Sequence, residues 1–330
     1  MHVNFSESES RRFSLRMFRG GAVGRDKADE LLEECIDHGA DTIILRMEQE
    51  TAAELLDALS EKCHAIGADA LIEFRKPLNQ KTIADRLGSG AEIVEINQAN
   101  VQLLDGLVER CYSEYRNHYH ANPCLDRQAV LSGLVEFSRS FAMVKDRTVL
   151  VAVHRGIPCG YLCMEIRDDH GSNGLPTGSR RLPIGSSVIG GSALDIPPGL
   201  RHKVLCDLTH AGDLWLLERN VTQFKALTRT EKSYIQKLLI RNMHCLPSRS
   251  LATIHINLFI DQLLKTAPQG EFPRCAAARP HRLTTFFRRV AKGAEERRVF
   301  QRLTPVGSFS YAADSDYQGI FSVAFSATPA

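Results

Sequence analysis

Two stretches of the sequence gather side chains able to do chemistry. Between Tyr112 and Pro123 stand Tyr112, Tyr115, His118, Tyr119 and His120 among Ser, Glu, Arg and Asn, the densest mixture of aromatic and polar groups in the chain. Aromatic walls with a few placed polar groups suit a sugar or another polar amine; the plainer alternative is a helix end with satisfied surface groups. The clustered rings also raise a metal site, but no carboxylate stands at a fixed helical spacing from them, and no metal is expected. The second stretch is Arg201-His202-Lys203, just after Pro197-Pro198-Gly199. Exposed amides and the positive end of a helix accept an anion, and basic side chains there add charge, although such a triplet is also an ordinary solvated helix start. The nine cysteines are scattered and mostly embedded in apolar segments, so reduced buried thiols are expected.

The elements that must position these residues read as α/β. Over residues 12–78, strand and helix periods alternate: strands at 13–18, 42–47 and 70–75, helices at 26–38 and from Thr51 to Ile66. Gly39 and Gly67 are expected to stop the two helices. This gives a small β-α-β-α-β domain over residues 1–80, and the polar, Gly-containing stretch 79–90 is a candidate boundary. A second block over 90–265 has the order β-α-α-β-β-β-α-β-α-β. It includes a hairpin around Arg155-Gly156-Ile157-Pro158, a Gly/Ser/Asn/Pro-rich excursion over 168–185, and a strand over 187–196. Residues 266–330 turn basic and Arg-rich without a recognisable motif, with one strand expected near Ile320.

That element order resembles the GNAT N-acyltransferase superfamily, and residues 192–258 carry most of the resemblance. In that family the fourth strand leads to a loop of pattern Arg/Gln-x-x-Gly-x-Gly/Ala, whose amides meet the CoA pyrophosphate at a helix start. Arg201 holds the first place here, with Val204 and Cys206 where glycine and a small residue are usual. The resemblance therefore implies an acyl-CoA (acetyl-CoA or another) bound along Ala193, Leu194, Asp195, Ile196, Arg201, His202, Lys203, Val204, Leu205 and Cys206. Backbone N–H groups of 192–195 would hold the thioester oxygen, and Arg201, His202 and Lys203 would make up for missing glycine amides by direct charge. The family motif Asn-x-x-Ala-x-x-x-Tyr supplies a Tyr as general acid. Counting back from Met243-His244 places Lys232 at its Asn and Leu239 at its Tyr, and leaves Tyr234 as a candidate acid on the same helix, 140° from Leu239. Candidate bases are Glu165, Asp195 and His154, since an ammonium must lose a proton before it attacks. Tyr112, Tyr115, His118 and Tyr119 fall where family members shape the acceptor pocket.

A small domain followed by a GNAT block is similar to two-domain enzymes related to TDP-fucosamine acetyltransferase, over about four-fifths of the chain. This implies acetyl transfer to a primary amine, such as a nucleotide-linked amino sugar. The open alternative is a GNAT-like module impaired in turnover that binds acyl-CoA or regulates. A net charge of +2, with 43% hydrophobic and 24% charged residues, argues for a globular protein and against nucleic acid as partner. No apolar run approaches the roughly 18 residues of a membrane span, and the start lacks a secretory pattern, so a cytoplasmic, membrane-free protein is expected. A homodimer stays open.

Overall fold

The computed structural model describes residues 3–60, 62–168, 183–258 and 320–322. It divides into two compact units. One comprises Met1–Ala70, His118–Asp126 and Ser250–Asp316; the other comprises Leu71–Asn117, Arg127–Arg249 and Tyr317–Ala330. The division is discontinuous, where contiguous domains over 1–80 and 90–265 were expected. Most of the excursion (residues 169–182) and of the basic segment (all but residues 320–322) lies outside the described residues. No helix among the described residues is long and apolar enough to cross a membrane.

The first unit holds β1 (Val3–Phe5), α1 (Glu7–Phe13), β2 (Met17–Gly20), α2 (Ala28–Asp37), β3 (Thr42–Glu48), α3 (Gln49–Leu59) and the start of β4 (His64–Pro77). β1 and β2 are antiparallel, and β2 and β3 are parallel. Ala28, Leu31 and Cys35 recur on the buried side of α2 and pack on Ile43 and Leu45 of β3 and Leu55 and Leu59 of α3. Gly39 ends α2 as expected. At φ 63° it donates its N–H to Ile36, and Ala40 donates to Cys35, the double closure of a Schellman turn. Two expectations change. Residues 7–13 are helical, acidic in the first turn and basic in the last, and the strand starts only at Met17. α3 stops at Leu59, whose carbonyl takes the N–H of both Lys62 and Cys63, so that His64–Gly67 belong to β4 instead of the helix.

The second unit contains the end of β4, β5 (Glu92–Glu95), α4 (Leu107–Tyr112), α5 (Arg127–Phe141), β6 (Arg147–His154), β7 (Ile157–Asp168), β8 (Pro183–Ser192), α6 (Pro198–Leu217), β9 (Gln223–Arg229), α7 (Ser233–Arg241), the start of β10 (Leu246–Asn257), and β11 (Ile320–Ser322). β10 continues into the first unit, where it lies antiparallel to β3. Strand order in the second unit is β4-β9-β8-β7-β6-β5, antiparallel except for the parallel pair β8/β9. Both faces are covered. Leu150, Ala152, Leu162 and Met164 pack with α6 and α7, while Val149, Val151, Tyr161 and Cys163 pack with α4 and α5. Successive residues of a strand point to opposite faces, which is why these strands read as continuous apolar runs. The β6–β7 hairpin turns at Arg155 and Gly156, both at positive φ (51° and 78°), the geometry that matches strand twist. Gly106, at φ 66°, separates α4 from a short 3₁₀ turn at Val101–Leu104.

The polar stretch 79–90 is fastened to α6. Asp207 accepts the N–H groups of Leu87, Gly88 and Ser89 and the Ser89 hydroxyl at 2.7–3.1 Å. Asp213 accepts Lys76 Nζ at 2.5 Å and Ala84 N–H at 2.8 Å, with both charged side chains fully buried.

Candidate functional site

The second unit breaks its own regularity at β8. Cys163 of β7 faces Ile189, but the next residue, Met164, faces Ser187, so Val188 is an extra residue in β8. Such a bulge bends the strand that carries it. Val188 and Ile189, consecutive in sequence, are accordingly buried in the same core with α4 and α5. The parallel partner is lost at the same place. β8 and β9 pair only at Ile184/Gln223, Gly185/Phe224 and Ser186/Lys225, and residues 187–192 and 226–229 continue without pairing to each other. β7 runs along one edge of β8 throughout, so the edge released beyond the bulge is the one β9 used before it. Ser187 and Ser192 lie on this half of β8 and Thr228 on that of β9. All three are buried, and their hydroxyls have no hydrogen-bond partner among the described residues. Orphaned buried hydroxyls are uncommon and call for an explanation such as a ligand.

β8 delivers the chain to α6 through residues 193–197. Here the expected amide donors are already committed. Ala193 N–H donates to Cys159 at 2.9 Å, Leu194 N–H to Arg110 at 3.0 Å, and Ile196 N–H to Ala193 at 3.5 Å. The assignment of thioester or phosphate contacts to these amides is therefore corrected. Asp195 receives Arg110 Nε and Nη2 at 2.9 Å each, while Arg110 Nη1 reaches the Pro158 carbonyl at 2.9 Å. The Arg110 hydrogen bond holds the Asp195 carboxyl below the usual carboxylate range. As a candidate base Asp195 is committed to a fork, and it serves to tie the loop to α4 and β7.

The helix starts earlier than expected, at Pro198, which makes Val204 its seventh residue. Val204, Leu205 and Cys206 are buried in the core and their amides belong to the helix interior, so their assignment as CoA-binding donors is also corrected. Burial pushes the Cys206 thiol up to about 12. In the first turn Leu200 and Arg201 donate to Pro197, Pro198 has no N–H, and Gly199 stands in open space, with no heavy atom within 4 Å of where a Cβ would be. Arg201 is half-buried, its Nε without a partner among the described residues, and Lys203 is exposed. His202 does not bring charge as expected: burial lowers its basicity, and Nδ1 lies 2.6 Å from Tyr234 Oη of α7, with Nε2 4.0 Å from Cys206 Sγ. The structure thus joins His202 and Tyr234, two residues nominated separately. Leu239, on α7, is buried in the core that α7 shares with α6.

Apart from His154, each of the other candidate residues is engaged within its own unit. Glu165 is 4% exposed and receives Arg167 Nε at 2.6 Å and Ser186 Oγ at 3.2 Å, with Arg147 Nε at 3.5 Å, so it links three strands in place of waiting for a substrate proton. Tyr112 donates to the Gly190 carbonyl of β8 at 2.7 Å and packs edge-on against Tyr115 and Tyr161 as core of the second unit. His118 and Tyr119 belong to the first unit. There Tyr119 Oη is held by Glu9 and by Arg19 Nη2 (2.8 Å), and His118 Nδ1 lies 2.8 Å from His255 Nε2. Asn122 Nδ2 donates to His255 Nδ1 at 3.1 Å, which assigns the His255 proton to Nε2 and makes it the donor to His118. Burial drives His255 down to about 3, which keeps its own ring neutral. Arg110, the Val188 bulge, Ser187, Ser192 and Thr228 carried no signal in residue type or spacing that singled them out.

No family model and no curated protein sequence matches the chain. Among solved structures it is similar to a functionally unknown conserved protein from Staphylococcus epidermidis (9% identity, 78% of this chain and 91% of that chain, TM-score 0.49). It is also similar to a tandem GNAT protein from the clavulanic acid biosynthesis pathway (12% identity, 73% and 75%, TM-score 0.43). A third likeness is to Saccharomyces cerevisiae N-myristoyltransferase with bound myristoyl-CoA (10% identity, 69% of this chain, TM-score 0.40), of which the chain spans about half the length, 54%. None reaches a TM-score of 0.5, and the functional reading rests on the geometry of this chain.

Proposed function

We propose that the second unit is an acyl-CoA-dependent N-acyltransferase of the GNAT type. The observation that carries the reading is the bulged strand β8, which parts from its parallel neighbour β9 beyond Ser186 and leads directly into α6. A strand edge released inside a sheet suits an extended ligand that brings its own amides, and the pantetheine arm of CoA has two. Ser187, Ser192 and Thr228 are hydroxyls in need of partners on the two diverging strands. Gly199, Arg201 and Lys203, in the first turns of α6, suit the pyrophosphate that follows. In the reaction an amine nitrogen attacks the thioester carbonyl; the C–N bond forms, the C–S bond breaks, and the sulfur leaves with the electron pair. Tyr234, hydrogen-bonded to His202, is the group on α7 suited to give that sulfur a proton. With Glu165 and Asp195 held by arginines, the amine loses its proton to solvent or to His154, whose Nδ1 has no hydrogen-bond partner among the described residues, so transfer should rise with pH. Acetyl as the acyl group and a nucleotide-linked amino sugar as acceptor are the finer form of the proposal, supported by the sequence resemblance alone.

Calorimetric titration with acetyl-CoA and longer acyl-CoAs, followed by thiol release with a panel of amines, tests it. Micromolar binding and thiol release above the spontaneous rate are expected; absence of binding by every acyl-CoA sinks the reading. The two committed carboxylates and the buried Leu239 favour one alternative, an acyl-CoA-binding module without turnover. Binding with no thiol release at any pH would select it.

A further inference from the structure

The edge of β8 released by the bulge has an occupant from the same chain. β11 lies antiparallel on it, with Ile320 opposite Gly191, Phe321 opposite Gly190 and Ser322 opposite Ile189. β7 takes the other edge at these same residues: Tyr161 opposite Gly191, Leu162 opposite Gly190 and Cys163 opposite Ile189. β11 therefore uses the edge that β9 gives up after Ser186. A strand edge has one row of donors and acceptors, and two partners cannot use it at once. Resting on the acyl-CoA reading above, we infer that β11 is a built-in competitor for the pantetheine arm. β11 closes the site by strand addition, and acyl-CoA must displace it to bind.

The competitor is suited to being displaced. Among the described residues it pairs over three, against ten residues of β8, and short strands add little stability of their own. Being tethered to the site, it nevertheless competes at a high effective concentration. The apparent affinity for acyl-CoA is then the intrinsic affinity reduced by the fraction of molecules whose edge is open.

The test uses the full chain. Phe321→Pro removes the N–H of the central residue of β11 and disfavours its pairing. If about one molecule in ten is open at rest, the variant should bind acetyl-CoA about tenfold more tightly than the wild type. In the wild type, saturating acetyl-CoA should accelerate amide hydrogen exchange in a peptide spanning 318–324 while protecting one spanning 187–192. This second measurement does not depend on the folding of any variant. Equal affinities of wild type and Phe321→Pro, with no change of exchange at 318–324, would overturn the competitor while leaving the acyl-CoA site standing. Weaker binding by a folded Phe321→Pro would make β11 part of the site's wall and overturn it as well. If neither protein binds acetyl-CoA, CoA or a longer acyl-CoA, the acyltransferase reading falls and this inference falls with it.

Discussion

Thr228→Val separates a ligand-directed hydroxyl from a structural one by the signs of two effects. Thr228 sits on β9 opposite Ile72 of β4, is 1% exposed, and its Oγ1 has no hydrogen-bond partner among the described residues. A buried hydroxyl left unpaired costs about 1–3 kcal/mol of desolvation, and valine has nearly the same shape without it. The ligand-free variant should therefore be more stable by about 1–2 kcal/mol, which in a unit of this size raises Tm by roughly 2–8 °C. If the hydroxyl is there for acyl-CoA, the same change removes one hydrogen bond from the complex. That bond is worth about 0.5–1.5 kcal/mol, so Kd for acetyl-CoA should rise about 2- to 10-fold. Calorimetric melting of the free protein and titration of both proteins with acetyl-CoA read the two numbers. A variant that loses stability while binding acetyl-CoA as before would refute the reasoning, because Thr228 would then have a structural partner and no role in the site.

Three further perturbations follow from the same geometry. Lys76→Met strips a fully buried Asp213 of its cation and should cost about 3–5 kcal/mol in denaturant unfolding, with most of it recovered in Lys76→Met/Asp213→Leu. In the first unit burial pushes Glu9 up, but the charge and hydrogen bond of Arg19, with the hydroxyls of Tyr119 and Ser6, bring it from an ordinary 4.5 down to about 2. A depressed carboxyl contributes stability that is complete above its unfolded value and lost as pH falls through the folded one. At about 1.4 kcal/mol for each pH unit, some 3 kcal/mol should vanish between pH 5 and pH 2, and Glu9→Gln should flatten unfolding free energy against pH in that window. Asp195→Asn should leave saturated turnover within about 3-fold, because the carboxylate is clamped by Arg110 and more than half exposed, and should cost less than about 1 kcal/mol. A loss of 10²- to 10⁴-fold, the usual range for a missing base, would restore Asp195 as a catalytic residue.

Much of the fold was legible where one physical signal acted alone. Gly39 stopped α2 because a left-handed residue was needed there, and Arg155-Gly156 announced a hairpin through two consecutive positive-φ positions. The N-terminus shows a signal present but passed over: Ser6-Glu7-Ser8-Glu9 has the spacing of a helix start, and α1 begins there. The polar stretch 79–90 shows the opposite error. Its composition is that of a linker, but Asp207 and Asp213, more than a hundred residues away, bind its backbone to α6. Composition reports what a segment can leave exposed and cannot reveal a distant carboxylate that satisfies its amides. The aromatic stretch likewise read as one pocket because its residues adjoin in sequence, whereas Tyr112 and Tyr115 enter one core and His118 and Tyr119 a different unit.

The candidate site resisted reading for a further reason. Hydrophobic alternation measures which face of a strand is buried, and β8 is buried from Ile184 to Ser192 on both faces, so no alternation survives to register an inserted residue. Val188 and Ile189 look like any two apolar neighbours, yet both enter the core with α4 and α5, and that single extra residue turns the strand away from β9. What makes the site is a strand edge given up by its parallel neighbour, a property of two strands that no side chain of either encodes. The motif used in its place, Arg201 with Val204 and Cys206, marked a helix start near the right position. The helix begins before that motif, because Pro197-Pro198-Gly199 already starts it. A Pro at the first helical position needs no N–H partner and presets φ, so the helix nucleates as soon as β8 ends. Arg201 and Lys203 are thereby placed in its opening turns, and Val204 and Cys206 become core.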